Sequence, residues 1–446
     1  MKLIQLKIEK LYGHYNYDNI IFNSDVTFIY GLNGCGKTTV LNITEAIITG
    51  QIYKLFGYDF EKIILSYAPK NNMNNKKEIR ILKKLNNIKV MFDDKEHEIE
   101  YNSEFIKENR FNDRDFERTR YYFNNYEFLV EVRKIFNYVY LPLNRSSVVY
   151  DFDNDDGIYF YRNNRRIYLE DSFNEPENKD LAMIQIEKLI EESYRKINSR
   201  ISKISDEFRN NILKSLLDVN EQYTDSDNLL DEIIRQKAAN ANSIKQTKAA
   251  YIKMLKDLSL ISKDEETNFE KFFDEIYGDI NKDKISVSTL LKMNEVIRIK
   301  KIVSLAEKTE KQKANIRKPI EKFIETMNDF INNGEDQKEI KINPMGRVYF
   351  TTKYNKNPIS IQYLSSGEKQ LITFFANLIF KVKSSTAGIF VVDEPELSLH
   401  LFWQKIFVEK TLEINKNIQL IFATHSPEIV GKNRNKMFKL EKKYVD

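Results

Sequence analysis

The stretch Gly31-Leu32-Asn33-Gly34-Cys35-Gly36-Lys37-Thr38-Thr39 constrains this chain more than any other. It fits the pattern G-x-x-x-x-G-K-[ST], with an apolar strand-like run (Val26–Tyr30) leading in and a helical pattern (Val40-Leu41-Asn42-Ile43) leading out. Glycines let the backbone turn tightly, so successive N–H groups and a helix N-terminus converge on an anion. In that geometry Asn33, Gly34, Cys35, Gly36, Lys37, Thr38 and Thr39 would cradle the phosphates of a nucleotide. Lys37 would reach the β- and γ-phosphates and Thr38 would ligate magnesium. The alternative is a glycine-rich turn between strand and helix that holds no ligand.

Three later segments extend the pattern. Gly388-Ile389-Phe390-Val391-Val392-Asp393-Glu394 is an apolar strand ending in adjacent carboxylates. Such a strand suits the middle of a sheet covered on both faces, and its C-terminal edge is where open α/β sheets bind ligands. There Asp393 would hold magnesium, and Glu394 would orient and deprotonate the attacking water. A second apolar strand, Gln419–Ala423, delivers Thr424-His425 to the same edge, where His425 would contact the γ-phosphate and sense its loss. Leu364-Ser365-Ser366-Gly367-Glu368-Lys369-Gln370 precedes apolar residues at helical spacing (Leu371, Phe374, Phe375, Leu378, Ile379). It reads as a capped helix N-terminus, and so as a second phosphate-binding element.

With these residues together the chain resembles the ABC-type ATPases related to SMC, RecF and OLD proteins. Gly31 to Thr38 match the Walker A loop, Leu364 to Gln370 the signature, Val391 to Glu394 Walker B, and Thr424-His425 the switch histidine. The string Asp393-Glu394-Pro395-Glu396-Leu397-Ser398-Leu399-His400 is similar to the small bacterial, defence-associated branch, and differs from transport ATPases in lacking a Thr and a Leu-Asp pair after Glu394. Ser366 stands where SMC proteins carry glycine. The resemblance covers about the first 150 and last 110 residues.

The resemblance implies an α/β fold: an ABC-type head, with a P-loop mixed sheet, helices and an antiparallel β layer, plus an inserted all-helical arm or bundle. It implies ATP and Mg2+ as cofactors, and two heads packed head to tail. Each nucleotide would lie between the P-loop of one copy and Ser365, Ser366, Gly367 and Glu368 of the other, with Ser398 and His400 lining the interface. A γ-phosphate touched by both copies stabilises the dimer through its differential affinity for that state. Where related ATPases place a magnesium-contacting glutamine this chain has Asn144 and Arg145: Asn144 as its substitute and Arg145 as a phosphate contact is one reading, and two residues that hold a loop the other. His14 falls where relatives contact adenine, or in a surface turn.

Composition sets further bounds. At 446 residues the chain has room for more than one domain. No apolar run approaches the length of about 18 residues of a membrane helix, and Met1–Gln5 reads as a strand, so no membrane contact and a cytoplasmic location are expected. A single cysteine excludes an internal disulfide, and four scattered histidines give no metal-ligand spacing. The net charge of +4 is too slight to imply nucleic acid.

Along the chain, residues 1–178 are expected to form the N-terminal part of the head, 179–334 a helical insertion, and 335–446 the C-terminal part. Residues 1–30 read as an opening strand and hairpin. Residues 70–120, with strands near Ile88–Phe92 and Glu98–Tyr101, read as an outer β layer, and 153–178 as a boundary. Ile190, Tyr194, Ile197, Ile201, Ile204 and Phe208 follow a coiled-coil seam, as do Ile316, Ile320, Phe323, Met327 and Phe330. They bracket softer segments at Asp218–Asp231 and Asp257–Glu266. At ~1.5 Å per residue the first seam spans only about 28 Å. An antiparallel arm and a compact bundle both fit, and no C-x-x-C is present for a zinc hook. The basic tail Ser426–Asp446 is expected to be a solvated end, with contact to nucleic acid or an acidic partner as the alternative.

OLD-type nucleases continue past the switch histidine into an acidic Toprim domain, and none is expected here. The expected output is therefore a separate effector. One reading is the ATPase subunit of an anti-phage system resembling PARIS, Septu or retron modules. It would form an ATP-dependent homodimer or higher oligomer that controls a nuclease effector in response to a phage-encoded trigger. The alternative is a RecF/SMC-type repair or chromosome-maintenance ATPase that binds DNA. A transport ATPase fits neither the insertion nor the segment after Glu394.

Overall fold

The computed structural model describes residues 1–84, 87–100, 126–136, 138–140, 159–162, 165–168, 181–217, 237–257, 261–281, 286–382, 388–397 and 399–445. The chain divides into two compact units, residues 1–193 with 321–446, and residues 194–320.

The first unit is built on two sheets. A five-stranded parallel sheet has the order β16 (Met437–Lys439), β3 (Val26–Tyr30), β15 (Gln419–Ala423), β14 (Ile389–Asp393), β8 (Tyr138–Tyr140). Its central strands are mostly apolar, and their apolar side chains alternate between two cores. Ile29, Ile389, Val391, Ile421 and Ala423 face one cluster. Val26, Phe28, Phe390, Val392, Leu420 and Phe422 face the other. Burial on both faces explains why these strands lack the polar alternation of a half-exposed sheet.

The first core fills the space between this sheet, helix α1 (Lys37–Ile48) and a seven-stranded antiparallel sheet. The latter runs β17 (Lys443–Tyr444), β2 (Tyr15–Ile21), β1 (Lys2–Leu11), β4 (Lys62–Ala68), β5 (Lys77–Lys84), β6 (Asn87–Phe92), β7 (Lys95–Glu100). It is the outer β layer expected from residues 70–120, as far as those residues are described. Short helix α2 (Glu127–Ile135) adds Phe128, Leu129 and Val132 to the same core. A two-stranded hairpin, β9 (Tyr159–Arg162) with β10 (Arg165–Tyr168), lies within the segment expected as a boundary.

The second core packs helices against the other face of the parallel sheet. It gathers Met183, Ile186 and Ile190 from α3 (Leu181–Leu217), Phe323, Met327 and Phe330 from α6 (Val287–Ile331), Leu371, Phe374 and Phe375 from α7 (Ser366–Ala376), and Trp403 and Phe407 from α8 (Leu401–Ile414). A small sheet, β11 (Glu339–Ile342), β12 (Val348–Thr351), β13 (Ile359–Ser360), leads into α7. The second unit has its own cluster, Ile244 from α4 (Lys237–Asp257), Phe273 and Ile276 from α5 (Lys263–Asn281), and Met293, Val296, Ile299 and Val303 from α6. The seam positions Tyr194, Ile197, Ile201, Ile204 and Phe208 are buried or half-buried while most intervening residues are exposed.

The basic tail is not a solvated end. β16 pairs in parallel with β3, and β17 pairs antiparallel with β2. Lys436 bonds to Asp25 at 2.5 Å, Lys443 to Asp18 at 2.8 Å, and the Lys442 ammonium lies 4.5 Å from the Tyr15 ring centre. The tail closes both sheets beside the P-loop because its apolar side chains and main-chain N–H groups find partners there. Its lysines neutralise carboxylates that β2 and the β3 approach would otherwise leave alone.

Candidate functional site

The Walker A residues form a loop between β3 and α1. Gly34 and Gly36 adopt positive φ (77° and 97°), a conformation that side chains resist. A Cβ on Gly31 would lie 2.8 Å from the Cys35 sulfur and 2.9 Å from the Leu440 carbonyl, so the tail itself fixes glycine there. Helix α1 starts at Lys37 with no side-chain cap and no acidic residue in its first turn. Its leading N–H groups are therefore free to meet an anion. Lys37 is buried, and its ammonium donates to the Gly31 carbonyl at 3.2 Å. Asn33, Gly34 and Thr38 are exposed, and Cys35 and Thr39 half-buried.

β14 carries Asp393 to this loop. The Asp393 carboxyl accepts a hydrogen bond from the Thr38 hydroxyl, while its Oδ1 is buried without a partner. Burial pushes this carboxyl above the usual carboxylate range. The Thr38 hydrogen bond and the Lys37 charge oppose that rise, and Glu394 and Glu396 add to it. Glu394 adopts φ of +47° and donates its N–H to the Ala423 carbonyl at 2.8 Å. That left-handed turn, rare for a glutamate, ends the strand.

His425 is held by a residue not singled out from sequence. The Glu396 carboxylate accepts from the Thr424 hydroxyl at 2.8 Å and from the His425 N–H at 2.5 Å. His425 itself is exposed at the strand end.

The signature residues form a second group. Ser365 caps α7 in a reciprocal box, its N–H donating to the Glu368 carboxylate at 2.7 Å and its hydroxyl accepting from the Glu368 N–H at 3.4 Å. The same carboxylate, buried, receives Lys338 at 3.0 and 3.1 Å. Ser365 and Ser366 are exposed and Gly367 is buried. His400, at the N-terminus of α8, lies against Trp403 with ring centres 3.8 Å apart. Burial lowers its pKa, and the nearby Glu368 charge opposes that. His14 lies in the exposed turn between β1 and β2, where its carbonyl accepts the Val445 N–H at 2.9 Å. Asn144, Arg145 and Ser398 lie outside the described residues. Among the described residues no cluster of three or more His, Cys, Asp or Glu side chains is arranged to hold a metal, and no helix is long and apolar enough to cross a membrane.

These features suit a magnesium–nucleotide complex: an uncapped helix N-terminus, a buried lysine, and a buried carboxylate oxygen without a partner beside a threonine hydroxyl. A family model described as "AAA domain, putative AbiEii toxin, Type IV TA system" matches residues 26–431. The chain belongs to this AAA-domain family. It is related in sequence to two retron probable ATPases. It is 28% identical over 194 residues to the Retron Vc95 probable ATPase of Vibrio cholerae serotype O1 biovar El Tor, covering 37% of this chain and 36% of that protein. It is 31% identical over 84 residues to the Retron Ec83 probable ATPase of Escherichia coli, covering 17% and 16%. The aligned part thus spans 36% of the first curated relative and 16% of the second. An SMC head domain with an extended coiled coil, bound to the C-terminal domain of ScpA and derived from Pyrococcus furiosus, aligns over 100% of this chain and 96% of that one at 12% identity, with a TM-score of 0.38. The SMC head domain from Thermotoga maritima aligns over 100% and 98% at 10% identity, with a TM-score of 0.36.

Proposed function

We propose that this chain binds and hydrolyses ATP, and that two copies close around the nucleotide. The buried, unpartnered Asp393 Oδ1 beside Thr38, at the mouth of an uncapped α1, carries this reading. Lys37 holds the terminal phosphates. Magnesium, taken by the Thr38 hydroxyl and the Asp393 carboxylate, supplies neutralisation of the phosphate oxygens. Glu394 orients the attacking water and accepts its proton, and His425 donates to the γ-phosphate and reports its departure.

The shared site is supported by how the groups divide. Lys37, Thr38, Asp393, Glu394 and, through Glu396, His425 form one group, whereas Ser365, Glu368, Lys338 and His400 form another. Each carries exposed apolar side chains. Leu32 in the P-loop is 85% exposed, Tyr363 before the signature 78%, Leu397 73% and Leu401 64%. Apolar side chains that stand clear of the core beside polar sites suit contact with a second copy. There Ser366 and the Gly367 N–H of one copy complete the phosphate cage of the other.

The role assigned is that of a sensor subunit in an anti-phage system, which controls a separate nuclease effector and responds to a phage-encoded trigger. Its support is the likeness to two retron probable ATPases. A DNA-binding repair role would favour a basic track. On the antiparallel sheet, however, Lys7, Lys10, Lys77, Arg80 and Lys89 are each paired with a carboxylate. Steady-state hydrolysis tests the enzymatic reading. The rate per chain should rise with protein concentration and vanish in Lys37→Ala. A Lys37-dependent rate that stays flat with concentration would remove the dimer, and no Lys37-dependent hydrolysis would remove the activity.

A further inference from the structure

Glu396 lies two residues past Glu394, in the turn Pro395–Leu397, and is not needed to end the strand. Its carboxylate nevertheless has both oxygens engaged across the sheet edge. Oε2 accepts the Thr424 hydroxyl at 2.8 Å, and Oε1 accepts the His425 N–H at 2.5 Å. The Thr424 hydroxyl oxygen accepts the Ser426 N–H at 2.9 Å. The Ser426 hydroxyl donates to the Gln404 side-chain oxygen at 2.6 Å. Gln404 closes the ring, donating to the Leu399 carbonyl at 2.6 Å and the Glu396 carbonyl at 3.4 Å. Thr424 and Gln404 are buried and Glu396 is half-buried, while the His425 N–H bond lies at the exposed end of the ring.

β14 and β15 are adjacent and parallel, with Asp393 opposite Ala423. The ring therefore joins the two segments that leave the sheet side by side, one bearing Glu394 and the other His425. Strand pairing ends at Ala423, and beyond it the backbone of His425 is fixed through Glu396.

We propose that Glu396 is a positioning residue for hydrolysis: its carboxylate sets the main chain of His425 in register with Glu394, so that water and γ-phosphate are addressed together. This rests on the reading that Glu394 and His425 act on ATP. A loss of alignment of about 1 Å between reacting groups is worth on the order of 100-fold in rate.

The test combines kinetics with nucleotide affinity in the full chain. Glu396→Ala should lower kcat by about 100-fold while affinity for a fluorescent ATP analogue stays within about twofold. Glu396→Gln retains one acceptor and places a donor against a second donor, so it should also slow turnover. Thr424→Val should lower kcat and Thr424→Ser should restore it. Because Glu396 acts through His425, Glu396→Ala combined with His425→Ala should be no slower than His425→Ala alone. Additive losses, or wild-type kcat in both Glu396 variants, would overturn the proposal. So would a parallel fall in affinity, thermal stability and rate, which marks a scaffold residue. Should Glu396→Ala fail to fold, Glu396→Gln and the Thr424 pair carry the same outcomes. If the unmodified chain shows no Lys37-dependent hydrolysis, the broader reading fails instead.

Discussion

The Tyr17 hydroxyl donates to the Cys35 carbonyl at 2.5 Å and stands 2.3 Å from where a Cβ on Gly36 would be. A buried strand residue of the antiparallel sheet thus props the phosphate loop from beneath. Gly36→Ala would meet both this hydroxyl and a strained φ of 97°. The substitution should abolish detectable ATP binding in calorimetry and destabilise the fold by about 1–3 kcal/mol. Binding within a few-fold of wild type would mean that the loop conformation is not what holds the phosphates.

Glu394 reaches the sheet edge through a left-handed turn pinned by its N–H to Ala423. Glu394→Gln preserves that backbone contact and removes only the basic carboxylate. Hydrolysis should fall by ~100-fold or more while ATP affinity is retained, as read by single-turnover phosphate release. Near-normal turnover would assign the base to another residue.

Gln419 joins the two sheets. Fully buried, its amide donates to the Leu3 and Asn23 carbonyls at 2.8 Å each and accepts the Leu3 N–H at 2.8 Å. Gln419→Leu keeps the volume and orphans three main-chain groups. The cost should be roughly 2–4 kcal/mol in urea unfolding. An unchanged midpoint would show that water or rearrangement satisfies those groups.

Lys2 is buried, and its ammonium donates to the Asn417 carbonyl at 2.5 Å. Burial, aided by Lys70 and opposed by Asp25, lowers its pKa to about 8. In the unfolded chain a lysine titrates near about 10.4. Between those values the unfolded chain binds more protons, so this group's contribution to stability rises with pH. Below the lower value its full penalty is present. Relative to Lys2→Met, the wild type should gain on the order of 2 kcal/mol across that window. A flat or falling difference would place the ammonium in water.

The central sheet and phosphate loop were legible because Val26–Tyr30, Ile389–Val392 and Leu420–Ala423 are mostly apolar runs followed by residues with a specific chemistry. Helix α3 and the C-terminal part of α6 were legible from the spacing of Ile190–Phe208 and Ile316–Phe330, whereas α4 and α5 carry no such seam. The tail was not, because β16 and β17 are three and two residues long and rich in lysine, so their pairing depends on strands more than 400 positions away. Glu396 and Gln419 escaped for a related reason. Each is a polar residue whose partners lie 28–29 and 396–416 positions away, and no local pattern marks them.

The most direct measurement is sedimentation velocity of Glu394→Gln with and without ATP and magnesium. The mass should double with nucleotide, and adding Ser366→Arg to the same chain should hold it at the monomer without lowering ATP affinity. No change in mass with ATP, or the same doubling with Ser366→Arg present, would contradict a nucleotide clasped between Lys37 of one copy and Ser366 of the other.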